Sequence, residues 1–211
     1  MIRILAPLFA ICALCVPVLC AVAGDTVFSQ DFAKVDAVPD DLMVLSGEYA
    51  IADDGGNKVL SLNPVPLDTY SFLFGPTAKE GLVVRGRAKS ATKGRQAPSF
   101  GYGLGGVTGH VLRYAGAKKQ LELVRDDVVL ASAPCEWKSD TWLWFQLQVR
   151  KDGAVWQIEG KAWTDGTAEP AAWMITHRDE KAPVSGRASC WGMPYSGKAI
   201  VYDDLTVIKL P

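Results

Sequence analysis

The sequence predicts an all-β domain, built as a two-sheet antiparallel jelly-roll sandwich. About fourteen short segments have the alternation or the β-branched and aromatic content of strands, and turn signals separate them. No stretch keeps the 3.6-residue apolar period of a helix over three turns. The 20 Gly and 12 Pro residues fit many turns and disfavour a helix bundle. We expect at most one short helical turn, at Asp36–Leu42.

The strand signals follow one another from residue 27 to residue 210. They are Val27–Phe32, Glu48–Ala52, Val59–Asn63, Ser71–Phe74, Gly81–Lys89, Ser99–Leu104, His110–Tyr114, Leu121–Arg125, Val128–Ala131, Trp142–Arg150, Ala154–Trp163, Trp173–His177, Gly186–Trp191 and Ile200–Leu210. In the clearest of them, Trp142–Arg150, alternation places Leu143, Phe145, Leu147 and Val149 on one face. So many strands in one domain suit two large sheets packed face to face.

Residues 1–23 have the features of a secretory signal peptide. Arg3 is the only charged residue in them, an apolar run covers Ile4–Leu19, and Ala21–Ala23 supplies a small-x-small cleavage pattern. We therefore expect an exported protein, periplasmic or extracellular, with one domain over 24–211 and no membrane span once the signal peptide is removed.

Composition narrows the classes of function. The 22 Lys and Arg residues nearly balance 23 Asp and Glu, so the chain has no basic excess for nucleic acid. After residue 23 only Cys135 and Cys190 remain. In an oxidising compartment they could form one disulfide, or both could be buried free thiols, and the sequence leaves both alternatives open.

Several motifs together carry a resemblance to a known superfamily. They are Phe28–Phe32, Gly47–Ile51 leading to Val59–Ser61, the long pair Trp142–Arg150 and Lys161–Trp163, Glu169-Pro170 before Trp173, and the closing Tyr202–Val207. In this order they resemble the concanavalin A-like lectin/glucanase jelly roll. More narrowly, they resemble secreted bacterial LamG-like and 3-keto-disaccharide hydrolase-type domains. The resemblance covers nearly all of 24–211 and implies a fold more than a function.

The sequence lacks the carboxylate spacing that glucanases of this superfamily use. Those enzymes place their acids on one strand as Glu-x-Asp-x-x-Glu or Glu-x-Asp-x-Glu, so that both side chains point into one cleft. Here Asp126-Asp127 and Asp203-Asp204 are adjacent pairs, whose members we expect to point to opposite faces. We therefore expect no catalytic residue of that type and no required cofactor. The hydrolase-type resemblance implies another chemistry, for which no residue set can be matched.

The Gly-rich run at 101–106 satisfies the bare dinucleotide-binding pattern. It continues into another strand rather than a helix, which excludes the phosphate-binding turn. The run instead predicts a strand whose small residues line one face and allow close approach.

Polar residues on three strands predict a carbohydrate-binding face. Aromatic rings stack on sugars, while planar amide and guanidinium groups bond to their hydroxyls. The outward residues are Trp144, Gln146, Gln148, Arg150, Arg85, Arg87 and Arg113. If the three strands share a sheet, these residues form one groove. The alternative is a solvated sheet face with Trp144 packed under a loop. We expect the other tryptophans to pack in the core or under loops, namely Trp137, Trp156, Trp163, Trp173 and Trp191.

Carboxylates near the two ends of the domain predict a structural calcium site. Asp31 lies near its start, whereas Asp203 and Asp204 lie near its end, and the first and last strands of jelly rolls often pair. The alternative is that Asp203 and Asp204 cap or turn the last strand while Asp31 is solvated.

These inferences predict a secreted, non-catalytic carbohydrate-binding domain that acts on polysaccharide or glycoconjugate. One alternative is a 3-keto-disaccharide hydrolase-type enzyme. The other is a structural or adhesive LamG-like module that binds a cell-envelope or extracellular protein, for which a large exposed apolar patch would be the signature.

Overall fold

The computed structural model describes residues 23–211, which form fifteen β-strands. The strands are β1 Asp25–Gln30, β2 Met43–Ser46, β3 Tyr49–Asp54, β4 Asn57–Leu62, β5 Tyr70–Ala78, β6 Leu82–Lys89, β7 Ser99–Leu104, β8 His110–Ala115, β9 Gln120–Arg125, β10 Val128–Pro134, β11 Leu143–Asp152, β12 Val155–Thr164, β13 Ile175–Asp179, β14 Gly186–Met193 and β15 Ile200–Lys209. The predicted signal peptide lies outside the described residues, except for Ala23. Residues 23–211 contain no helix of the length and apolarity that crossing a membrane requires.

The strands form two antiparallel sheets that pack face to face. The eight-stranded sheet has the order β13-β12-β11-β6-β15-β4-β3, with β1 also paired to β15. The seven-stranded sheet has the order β10-β9-β8-β7-β14-β5-β2. Neighbours in a sheet are often distant in sequence, because the chain crosses repeatedly between the sheets. The all-β, two-sheet jelly-roll prediction is confirmed.

Alternation along the strands builds the core between the sheets. In β11 the four predicted inward residues, Leu143 to Val149, are at most 2% exposed. From the other sheet, Phe100, Tyr102 and Leu104 of β7 face them. The Tyr102 ring packs where Gly86 of β6 has no side chain, and its hydroxyl donates to the Arg87 carbonyl oxygen at 2.7 Å. This contact joins the centres of the two sheets.

Two local predictions are wrong. Asp36–Leu42 forms no turn of helix. It consists of bends and turns, in which the Leu42 N–H donates to the Pro39 carbonyl oxygen. The turns carry Phe32 and Leu42 into the core, so tertiary burial rather than helix formation organises this segment. The sequence did not predict the short strand β2, because three of its four residues, Met43–Ser46, are apolar and do not alternate with polar residues.

A bulge in β15 corrects the expectation for its adjacent acids. The register between β15 and β6 shifts between Asp203 and Thr206, and Asp204 has a φ of +53°. In a regular strand the side chains of neighbouring residues point to opposite faces. The bulge breaks that rule, so that Asp203 and Asp204 both reach the same residue, Arg87 of β6.

The two cysteines are free and buried, which settles the alternative that the sequence left open. Cys190 lies in β14, whereas Cys135 follows β10 at the far edge of the same sheet. Four strand steps of about 4.8 Å separate them by roughly 19 Å. A disulfide needs Cα atoms within about 7 Å, so this fold does not allow the bond.

His110 is the least satisfied polar side chain of the core. It is 1% exposed, and neither ring nitrogen has a hydrogen-bond partner within residues 23–211. Burial, assisted by the nearby Arg125 charge, lowers the pKa of His110 to about 4. The folded state therefore resists protonation of this ring.

We expect the protein to lose stability as the pH falls from about 6.5 to about 4. Over this interval the unfolded chain takes up a proton on its histidine, while folded His110 stays neutral until its lower pKa is reached. The free energy of unfolding should fall by up to about 3 kcal/mol from this residue. Urea unfolding at pH 7 and pH 4 measures the loss. The loss of stability between pH 7 and pH 4 should be smaller in His110→Leu and unchanged in His177→Gln. An equally large loss in His110→Leu would contradict the assignment of this pH dependence to His110.

Candidate functional site

The structure divides the seven residues of the predicted groove between two faces. β6 and β11 are neighbours, so six of the residues share the outer face of the eight-stranded sheet. Arg113 points outward as predicted, but β8 belongs to the seven-stranded sheet. The single groove that joined all three strands is therefore not formed.

Trp144 lies inside a ladder of alternating indole rings and cations. The ladder runs in the order Trp163, Arg85, Trp144, Arg87, Trp142 and Lys89. The Arg85 guanidinium carbon is 4.9 Å from the Trp163 ring centroid and 5.1 Å from that of Trp144. The indole N–H of Trp144 donates to Asp165 at 2.7 Å. The ring faces that a sugar would need are thus occupied by the protein's own guanidinium groups.

Arg87 gathers the carboxylates that the sequence suggested for calcium. Its Nη2 lies 2.8 Å from Asp203 and its Nε 2.8 Å from Asp204, with Asp165 at 3.7 Å from Nη1. Burial acts to lower the pKa of the Arg87 guanidinium, but the Asp203 hydrogen bond and the surrounding carboxylates outweigh it and raise that pKa. Burial, followed by the charge of Asp203, raises the pKa of Asp204. The Arg87 guanidinium therefore occupies the space between these carboxylates, where the sequence predicted a calcium ion.

This geometry gives the calcium prediction no support. Asp31 lies near Asp204, but its carboxylate accepts the Ala33 N–H in a local turn. Within residues 23–211 no group of three or more His, Cys, Asp and Glu side chains is arranged to hold a metal ion. The Arg87 guanidinium occupies the space between Asp203 and Asp204, and its single positive charge balances one of the two carboxylates.

The outer face of the seven-stranded sheet carries a strip of two buried glycines. Phe100, Tyr102 and Leu104 point into the core, so Gly101 and Gly103 point outward. A Cβ atom at Gly101 would collide with the Leu112 carbonyl oxygen of β8. The predicted strand of small residues is confirmed, and its two glycines form a strip that has no outward side chains of its own, with the Ser189 hydroxyl lying over Gly103.

Trp191 of β14 borders this strip. In the cross-strand register, Gly101 separates Trp191 from Arg113. The Trp191 indole N–H donates to Ser189 Oγ at 2.9 Å. Ser189 lies two residues earlier on the same face of β14, so this hydrogen bond orients the indole ring along the strand. The ring is half-buried, with the side-chain-free strip beside it.

Trp191 differs from the other tryptophans in what covers its ring. Each of the other six contacts a cation or another aromatic ring. Across the part of the chain that the structure describes, neither kind of group lies against Trp191. The prediction that this residue only packs is therefore wrong, because its ring lines an open depression.

A buried carboxylate completes the row across the sheet. Glu122 of β9 is opposite Arg113 and 1% exposed, and it accepts hydrogen bonds from Arg113 Nη2 at 2.9 Å and Lys118 Nζ at 2.7 Å. Burial acts to raise the pKa of Glu122, but these two cations outweigh it and lower the pKa. The carboxylate is held ionised and fixed in orientation, with two charged donors around it.

The groove formed by these residues has two adjoining parts. Depressions of about 520 and 220 Å³ share Arg113, Met193 and Tyr195. Tyr195 is 44% exposed at the rim. The larger depression ends at the Asp126-Asp127 turn, and the smaller at Lys118. An aromatic ring and a fixed ion pair therefore lie together in one groove.

Searches for relatives locate the fold but no family. No protein-family model and no curated protein sequence matches the chain. The Emp47p carbohydrate recognition domain superposes with a TM-score of 0.60 at 9% identity, covering 89% of this chain and 97% of that one. Lectin II from Ulex europaeus gives 0.59 at 9% identity, covering 89% and 100%. The carbohydrate binding module CBM66 from Bacillus subtilis gives 0.52 at 11% identity, covering 80% and 96%. These likenesses show the jelly-roll fold that the sequence predicts.

We expect Arg87→Gln to lower the free energy of unfolding by about 3 kcal/mol at pH 7. The change leaves Asp203, whose side chain is 2% exposed, without its cation. Arg87→Gln combined with Asp203→Asn should recover part of the loss. Lys58→Gln is a matched control, because it breaks the exposed pair with Asp36 and should change stability little. Urea unfolding measures all four proteins; an Arg87→Gln protein as stable as the parent contradicts the role of Arg87.

Proposed function

We propose that this protein is an exported, non-catalytic carbohydrate-binding domain whose site is the groove on the seven-stranded sheet. The observation that carries the proposal is Trp191, an indole that lines the groove with no cation or aromatic ring of residues 23–211 against it, close to the fixed Arg113–Glu122 pair. Sugars present C–H faces to aromatic rings and hydroxyl groups to charged or planar polar groups. The groove offers both kinds of contact side by side.

The chemistry of Glu122 favours binding over hydrolysis. A glycosidase needs one carboxyl group that carries a proton and a second carboxylate at a set distance from it. Glu122 is buried, and both of its oxygens are bonded to Arg113 and Lys118, so its role is to fix these two cations, which can donate to hydroxyl groups of a ligand. Three structural neighbours are named as sugar-binding proteins, which supports the same class of function. The 3-keto-disaccharide hydrolase alternative gains no residue set from the structure.

A protein-binding, LamG-like role is the second candidate, and one observation favours it. β2 is the edge strand of the seven-stranded sheet, and its Met43, Val44 and Leu45 side chains are 43–52% exposed. An edge strand with exposed apolar residues can accept a partner strand. If the protein binds no glycan, protein binding becomes the favoured function.

We expect Trp191→Ala to weaken glycan binding by at least about tenfold, since it removes the stacking surface. Depletion of the full chain from solution by cellulose, xylan, mannan and galactan identifies the glycan, and titration with its oligosaccharide measures the affinity. Trp144→Phe is the control, because it keeps an aromatic ring in the ladder of the opposite sheet and should bind normally.

Three results would contradict this proposal. Undiminished binding by Trp191→Ala would remove the groove as the site, and lost binding by a folded Trp144→Phe would return it to the other sheet. Depletion by none of the four polysaccharides would argue against carbohydrate binding itself.

A further inference from the structure

A second and larger groove lies on the outer face of the eight-stranded sheet, beyond the cation–indole ladder. Its volume is about 920 Å³. Gln146, Gln148 and Arg150 of β11 form its floor. One wall consists of Lys161, Glu169 and Trp173, and the other of the chain from Lys209 to Pro211. The two grooves face away from each other across the sandwich.

Arg150 is held in this groove with part of its guanidinium free. Its Nε lies 3.1 Å from Glu159, a buried carboxylate that also accepts from Gln148 at 2.7 Å and Gln157 at 2.6 Å. Among residues 23–211 the hydrogen bond of the Arg150 side chain is made by Nε and none by its two terminal nitrogens, and the side chain is 37% exposed. A guanidinium fixed at Nε presents a planar pair of donors, which matches the two oxygens of a carboxylate.

The wall of the groove carries an excess of positive charge. Glu169 lies 2.7 Å from Lys161 and 2.9 Å from Arg85, so one carboxylate serves two cations. The Lys161 side chain is only 6% exposed, which limits neutralisation by water and salt. At the rim, Lys151 and Lys209 face a single acid, Glu80. An anionic group would balance this charge.

The remaining surface of the groove suits a sugar ring more than a peptide. Trp173 and Leu210 lie on opposite walls and supply apolar contact, although Lys161 Nζ lies 4.9 Å from the centroid of the Trp173 ring and covers part of it. The Gln148 amide nitrogen is bonded to Glu159, which leaves its oxygen to accept from a hydroxyl group. Such a mixture of ring contact and fixed polar groups is typical of sites for hydroxylated ligands.

We propose that this groove binds a sugar that bears a carboxylate, such as a uronic acid residue of an acidic polysaccharide, with Arg150 holding the carboxylate. The inference does not depend on the groove at Trp191. A chain with both sites would hold glycan on two opposite faces.

The test is calorimetric titration of the full chain with tri-galacturonate, with its methyl ester and with poly-glutamate. The acid should bind at least about tenfold more tightly than the ester, which has the same ring but no charge. Equal binding of acid and ester would overturn the proposal. Poly-glutamate that binds as tightly as the acid would show a site for charge alone and would also overturn it.

Variants locate the binding. Arg150→Gln should weaken tri-galacturonate at least about tenfold, whereas Arg178→Gln, an exposed arginine paired with Asp152 outside the groove, should not. Because Arg150→Gln also removes a partner of Glu159, thermal melting checks that this variant is folded. Lys209→Gln, at the rim of the groove, is a second variant and should weaken tri-galacturonate binding about twofold. Loss of acid binding in Trp191→Ala with retention in Arg150→Gln would assign the acid to the other groove and overturn the proposal.

Discussion

The outer face of the eight-stranded sheet depends on Arg87. Its guanidinium holds Asp203 and Asp204 of the β15 bulge, and stacks against Trp142 and Trp144 of β11. Its carbonyl oxygen accepts the Tyr102 hydroxyl from the opposite sheet. One residue thus ties three adjacent strands together on the outside and joins the two sheets on the inside. Because the cation pairs with these acids, a charged cluster can be partly buried there.

The outer faces of the two sheets differ in what contacts their aromatic side chains. On the eight-stranded sheet, aromatic and charged side chains contact one another around Arg87, and the open groove begins at Gln146. On the seven-stranded sheet, the outward positions of β7 are glycines, so Trp191 of the next strand has no cation of the described chain beside it and lines an open groove. A similar composition therefore gives a stabilising ladder on one side and an open groove on the other. The difference follows from which side chains lie opposite each other across neighbouring strands.

The sequence predicted the class of fold and most strands, because alternation and turn residues are local signals. It identified the outward side chains of β6, β8 and β11 correctly, since a two-residue period decides the face. It could not decide which strands share a sheet, and so placed Arg113 beside Trp144. The bulge at Asp203-Asp204 was equally invisible, because it is a feature of pairing with β6. Trp191 was passed over for the same reason: only the register shows that its neighbour is Gly101. The glycine run was the one available signal, and its meaning depends on the strand beside it.

The central claim is that glycan contacts Trp191 while the ladder tryptophans remain covered by their own cations. NMR of the indole N–H groups tests it directly, since each of the seven tryptophans gives its own signal. The full chain would be titrated with a neutral oligosaccharide of the polysaccharide that depletes it from solution. The account predicts that the Trp191 signal moves with saturation, while those of Trp142, Trp144 and Trp163 stay in place. Movement of the ladder signals with a stationary Trp191 would contradict it.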